Sequence, residues 1–113
     1  MAMSRDISVK AATASTTQTQ AGGTVLNADF TVATVANASD TFTIPANLPV
    51  GTIFFVVGGA NAGLIFPPVG GAINGGTVDA SKPLDASVVT MIVVTASGSA
   101  STYRANKLAA LSA

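Results

Sequence analysis

Between Gly51 and Gly76 the chain reads GTIFFVVGGANAGLIFPPVGGAINGG, and that stretch leaves few folds open. Ile53 to Val57 is an unbroken run of β-branched and aromatic residues. Such a run predicts a strand whose two faces both want apolar cover, as in the middle of a sheet or against a neighbouring subunit. Gly58 to Gly63 offers the positive-φ positions of a hairpin connection, so Leu64 to Phe66 is expected to return as a second strand, stopped by Pro67-Pro68. The glycines from Gly70 to Gly76 predict tight turns around one buried anchor, Ile73.

The rest of the chain repeats this vocabulary. Val88 to Thr95 is a second two-sided apolar run and the natural partner of Ile53 to Val57. Thr41 to Ile44 alternates cleanly, which points Phe42 and Ile44 inward and the threonines outward, and Pro45 ends it. In Thr24 to Val35 the side chains of Phe30 and Val32 share a face, while Val35 falls out of phase and predicts a bulge or strand end near Ala33. Leu48 and Val50 are expected to cap the core, Leu84 to anchor the loop around Lys82-Pro83, Thr77 to Asp79 to form a short strand, and Ser101 to Arg104 to form the last one. Seven or eight short strands, turn signals every several residues and no long amphipathic pattern predict an all-β fold: an antiparallel β-sandwich, jelly-roll-like, with an extended N-terminal arm. The expected organisation is an arm over residues 1–23, a sandwich domain over 24–105 and a tail over 106–113. The arm is too polar to build a core, but Ile7 and Val9 give it one face able to pair with the edge of a neighbouring subunit.

Composition narrows the functions. Histidine and cysteine are both absent, which removes disulfides, thiolate nucleophiles, the usual zinc and iron ligands and any Ser/His/Asp apparatus. Five cations balance five aspartates, so no basic field exists for nucleic acid or for an anionic membrane. No apolar run reaches the ~18 residues of a membrane helix, and a cytoplasmic protein is expected unless a particle carries it out. Only 9% of residues are charged against 49% apolar, and sparse charge at zero net charge promotes association, so much of the surface is expected to lie against other subunits. The aspartates are expected to be turn carboxylates: Asp79 and Asp85 lack the spacing of a calcium loop, and nothing fixes Asp29 and Asp40 as a glycosidase pair. The glycines at 70–76 are not followed by the Lys-Ser/Thr and helix of a phosphate cradle. Tyr103, beside Arg104, is a thin platform for a sugar ring and reads as a core or interface tyrosine. No cofactor and no metal are expected.

The strings Asp40-Thr41-Phe42-Thr43-Ile44-Pro45-Ala46, Val50-Gly51-Thr52 before an apolar strand, Phe66-Pro67-Pro68-Val69-Gly70-Gly71-Ala72-Ile73-Asn74-Gly75 and a last apolar strand before a Ser/Gly turn together resemble small virion proteins of tailed bacteriophages. The pattern is similar to that of the capsid decoration, or cement, proteins, and related β-domains occur in phage fibres. Members often carry a tryptophan near the end of that domain, where this chain has Tyr103. The resemblance implies a structural protein and not an enzyme, a homotrimer seated on the major capsid protein at the capsid exterior of a virion assembled in the host cytoplasm. A fibre or receptor-recognition module reading a surface glycan is the alternative. The expected interface residues are Ile7, Val9, Phe54, Val56, Pro67, Pro68 and Tyr103.

Overall fold

Ten short strands make up all the regular structure of residues 7–108, the part of the chain described by the computed structural model. They are β1 (Val9–Thr13), β2 (Thr24–Val25), β3 (Phe30–Thr34), β4 (Thr41–Thr43), β5 (Ile53–Val57), β6 (Leu64–Phe66), β7 (Ala72–Ile73), β8 (Lys82–Pro83), β9 (Val89–Ala96) and β10 (Thr102–Lys107). A six-stranded sheet has the order β1-β3-β5-β9-β10-β7, and a four-stranded sheet has the order β2-β4-β6-β8. From β1 to β9 the chain therefore changes sheet at every connection.

That alternation explains the pairing. Through β6, neighbouring strands of one sheet are separated in sequence by a strand of the other and re-enter in the same direction. Accordingly β1 and β3, β3 and β5, β2 and β4, and β4 and β6 all pair in parallel. Parallel neighbours need a crossover, commonly a helix; here the crossover is a short strand across the core. Antiparallel pairing is confined to β5 with β9, β9 with β10 and β6 with β8. The all-β expectation holds, but the strands do not show the predicted antiparallel, jelly-roll-like connectivity. Gly58 to Gly63 makes no hairpin either, since it carries the chain from the six-stranded to the four-stranded sheet. The crossing is tight at Gly58, where a Cβ would lie 2.3 Å from the carbonyl oxygen of Asp85. Asn61 braces it by donating from Nδ2 to the carbonyls of Val35 and Ala36, each at 3.0 Å.

The core lies where the inner faces of the two sheets meet. Val56, Ile92, Val94 and Tyr103 from the larger sheet and Phe42 and Ile65 from the smaller are buried in one cluster with Ile44, Ile73 and Leu84. The anchors Ile73 and Leu84 and the β5–β9 partnership are those read from the sequence. Of the bulge or strand end expected near Ala33, the strand end is found: β3 stops at Thr34 without a bulge, and Val35 just beyond it keeps the buried phase of Thr31 and Ala33; the register shift lies at Thr102/Tyr103. Other expectations fail. Val50 is exposed, and Thr77 to Asp79 is a turn, not a strand.

The largest difference concerns the N-terminal segment. Instead of extending as an arm, residues 9–13 form the edge strand β1, paired along its length with β3. Ala14 enters the core, and the following residues fold over the smaller sheet. There the hydroxyl of Thr41 donates to the carbonyl of Thr19 at 3.1 Å and that of Thr43 to the carbonyl of Gln20 at 2.8 Å. This is why both threonines are buried although alternation pointed them to solvent. The strand addition predicted for a neighbouring subunit is thus made within the chain. At the other end Asn106 and Lys107 belong to β10 and not to a tail, while residues 1–6 and 109–113 of the predicted arm and tail lie outside the described residues.

The glycine string also has a definite form. Gly71 donates to the carbonyl of Pro68 at 2.9 Å, closing a turn that only glycine fits at Gly70, where φ is +88° and a Cβ would lie 2.2 Å from the carbonyl oxygen of Ser99. Ala72 and Ile73 then pair in parallel with Thr102 and Tyr103 of β10. Asn74, at φ 55°, clamps Ala105 from both sides, donating from Nδ2 to its carbonyl and accepting from its amide.

Candidate docking face

The four aspartates among the described residues are dispersed, each engaged with its own partners. Asp29 accepts through Oδ2 from the amide and hydroxyl of Ser8, tying β1 to the start of β3. Asp40 is buried in the turn before β4, where it accepts from the amide of Asn37 and from Nε2 of Gln18. Asp85 pairs with Lys107 at 2.9 Å. Asp79 accepts through Oδ1 from Nε2 of Gln20 at 3.1 Å and from the amide of Gly70 at 2.8 Å. Asp29 and Asp40 thus serve separate turns, as do Asp79 and Asp85. Among the described residues no three acids come together as a metal site would require.

Asp79 is held below the usual carboxylate range, first by the Gln20 side chain and then by the Gly70 amide. Its folded value lies below its unfolded value, so its contribution to stability is complete above the unfolded pKa and is lost as pH falls through the folded one. We expect its side-chain carbon resonance to titrate at lower pH than a free aspartate. Gln20→Ala should move that titration upward; an unchanged titration would mean the Gln20 hydrogen bond is not made in solution.

Two clefts are present. One, of about 260 Å³, is lined by Leu26, Leu48 and Phe54 with Ser8, Asp29 and Thr52 at its polar side. The other, of about 170 Å³, lies among Ile65, Leu84, Thr90, Lys82 and Lys107. In the first the Ser8 hydroxyl donates to Asp29 at 3.2 Å, a contact that also ties down the Ser8 amide and so reads as a strand-end clamp; the second holds the Thr90 hydroxyl and two lysines but no carboxylate.

The expected interface residues separate into two groups. Phe54, Val56 and Tyr103 are core side chains, and Pro67 and Pro68 are buried beneath the turn they start, so these five do not form a surface. Ile7 and Val9 are exposed. What the sequence reading missed is the opposite phase of the same strands. On β5 the inward positions are Phe54 and Val56, which leaves Ile53, Phe55 and Val57 on the outer face, with Ile53 50% exposed. The chain covers only one side of the two-sided run.

Register extends that outer face across the sheet. One row runs Val9, Phe30, Phe55, Met91 from β1 to β9, and the next runs Ala11, Val32, Val57, Val89. Ile53 and Val93 begin a third. Phe30 and Phe55 stack with ring centroids 6.0 Å apart, and Val9 and Val32 are 62% and 42% exposed. These ten side chains are all apolar. The first charge met in crossing the sheet is Arg104, on β10 opposite Val93. The signal for this face was present in the sequence as the absence of polar residues at alternate positions of Ile53 to Val57 and Val89 to Val94. It does not say which phase is turned outward. No family model, curated protein or solved structure matches the chain.

Proposed function

We propose that this protein is a structural, non-enzymatic virion component that decorates a phage capsid and stabilises it by bridging neighbouring coat subunits. The observation that carries the reading is the outer face of the six-stranded sheet: ten adjoining apolar side chains from β1, β3, β5 and β9 with no charge among them. Contiguous apolar patches beyond a few hundred Å² mark interaction surfaces, and catalytic sites are concave and bring acids, bases or nucleophiles together, which this face does not. The two sheets, acting as a β-sandwich with a shared core, supply a stiff body for a clamp. The phage-like strings support the same reading, because their residues Phe42, Ile44 and Ile73 are core and their Asn74 and Gly70 fix turns; they describe a scaffold and not a reactive centre.

The test is binding to particles. Labelled protein added to capsids of the source phage should be found over the head, and decorated capsids should resist heating better than bare ones. Label confined to the tail, or capsids that neither bind the protein nor gain heat resistance, would overturn the assignment.

A further inference from the structure

We infer that the outer face of the six-stranded sheet is occupied by the same face of a second copy of this chain, packed sheet on sheet about a two-fold axis. The inference rests on the structural reading above and deepens it: the apolar face joins two copies, and the resulting pair, not the single chain, is the unit that bridges coat subunits.

Size is the first argument. Ten adjoining apolar side chains over four strands, with Val9, Val32 and Ile53 62%, 42% and 50% exposed, make a contiguous patch of the kind that marks an interaction surface, and pairing two such patches brings the buried area toward that of a standard interface. Charge is the second. Arg104 stands at the border and, among the described residues, no acid or base lies within the face, so the face itself carries no charge to repel an identical copy and none to select a partner by opposite charge. A membrane bearing anionic lipid would call for a cationic rim, and one arginine does not make one. Shape is the third. An isologous contact satisfies both copies at once with one patch, and sheets packed face to face keep their strands within about 30° and interdigitate side chains such as Val32, Phe55 and Met91. A three-fold ring, the arrangement implied by the resemblance, would need a second apolar surface to receive the first. Among the described residues the other large exposed apolar side chains are Val25, Val50, Val69 and Val78, which stand on a two-residue strand or in connections, and Ile7 and Leu108, which flank β1 and β10.

Sedimentation equilibrium of the purified chain, without capsids, reads this directly. The expected species at about 50 µM, a concentration suited to a contact of this size, has twice the 11.1 kDa mass of one chain, and it persists in added sodium chloride because no ion pair holds it. Val32→Lys and Ile53→Lys place a charge at positions already half open in the monomer, so each should leave the circular dichroism spectrum unchanged while weakening dimerisation by about 100-fold, the consequence of burying an unpaired charge. Val69→Lys, at a position 76% exposed in a turn, should leave it unchanged. The chain has no cysteine, so single cysteines can report proximity: Val57→Cys should cross-link two copies under oxidation and Val69→Cys should not. A purely 11 kDa species, a trimer, or a dimer indifferent to both lysine variants would overturn the inference. Failure here is distinct from failure of the proposed function, since a monomer that still decorates capsids leaves that reading standing with the coat protein on the face.

Discussion

Removing residues 1–23 is expected to lower the stability of the protein by about 3–6 kcal/mol, a large share of the ~5–15 kcal/mol of a typical domain. The segment contributes the edge strand β1, the core side chain of Ala14 and the backbone exchange between Ser15 and Thr41, whose amides donate to each other's carbonyls at 2.9 and 3.0 Å. It also supplies the carbonyls of Thr19 and Gln20 that accept from the hydroxyls of Thr41 and Thr43. Each such bond is worth a net ~0.5–1.5 kcal/mol, but a buried hydroxyl left without its partner costs ~1–3 kcal/mol. Ordering entropy regained by deleting the segment offsets part of the loss. Urea unfolding followed by circular dichroism measures the result. An unchanged midpoint would show that the segment is a dispensable arm, as its polar composition suggests when read without the fold.

The second large effect separates the two phases of the apolar runs. Ile92 is fully buried between Phe54 of β5 and Ala105 of β10 in the sheet register, so Ile92→Ala leaves a cavity and should cost about 2–5 kcal/mol. For a domain of this size that is a fall in melting temperature of roughly 10–20 °C. Phe55 lies one position along from Phe54 on the other face and stacks on Phe30. In dilute solution Phe55→Ala, at a partly covered position, should cost about 1–2 kcal/mol of fold stability from the lost stack and part of its buried area, less than Ile92→Ala, while weakening association at higher concentration. Melting curves of both variants across a hundredfold range of concentration distinguish these roles. If Phe55→Ala lowers the dilute melting temperature as far as Ile92→Ala does, the outward phase assigned to β5 is wrong.

Particular residues show what was legible. The strict alternation of Phe42 and Ile44 between polar neighbours has a single solution, because one phase is apolar and the other is not, and both side chains are in the core. Ile73 and Leu84 are isolated large apolar residues among glycine, asparagine and aspartate, and both are buried for the same reason. The runs Ile53 to Val57 and Val88 to Thr95 announce strands, and those strands pair. The local chemistry of the turns, such as Gly70 at positive φ, is likewise written in residue type.

The strand character of these segments, their main anchors and the scarcity of charge are therefore properties of residue type alone. Where each strand goes is a matter of long-range packing. Whether Gly58 to Gly63 doubles back as a hairpin or crosses to the other sheet depends on contacts with Val35, Ala36 and Asp85, far away in the chain, and those contacts also make the pairing parallel. Whether Thr41 and Thr43 face water depends on a segment some twenty residues earlier that offers them carbonyls. The phase of β5 and β9 was undetermined locally because both phases are apolar; burial of Phe54, Val56, Ile92 and Val94 against the smaller sheet settles it, and the same choice leaves Ile53, Phe55, Val57 and Met91 as the face presented outward. Residue-by-residue polarity carries information about one strand at a time, whereas register and layer order are set by long-range packing, which has no local signature.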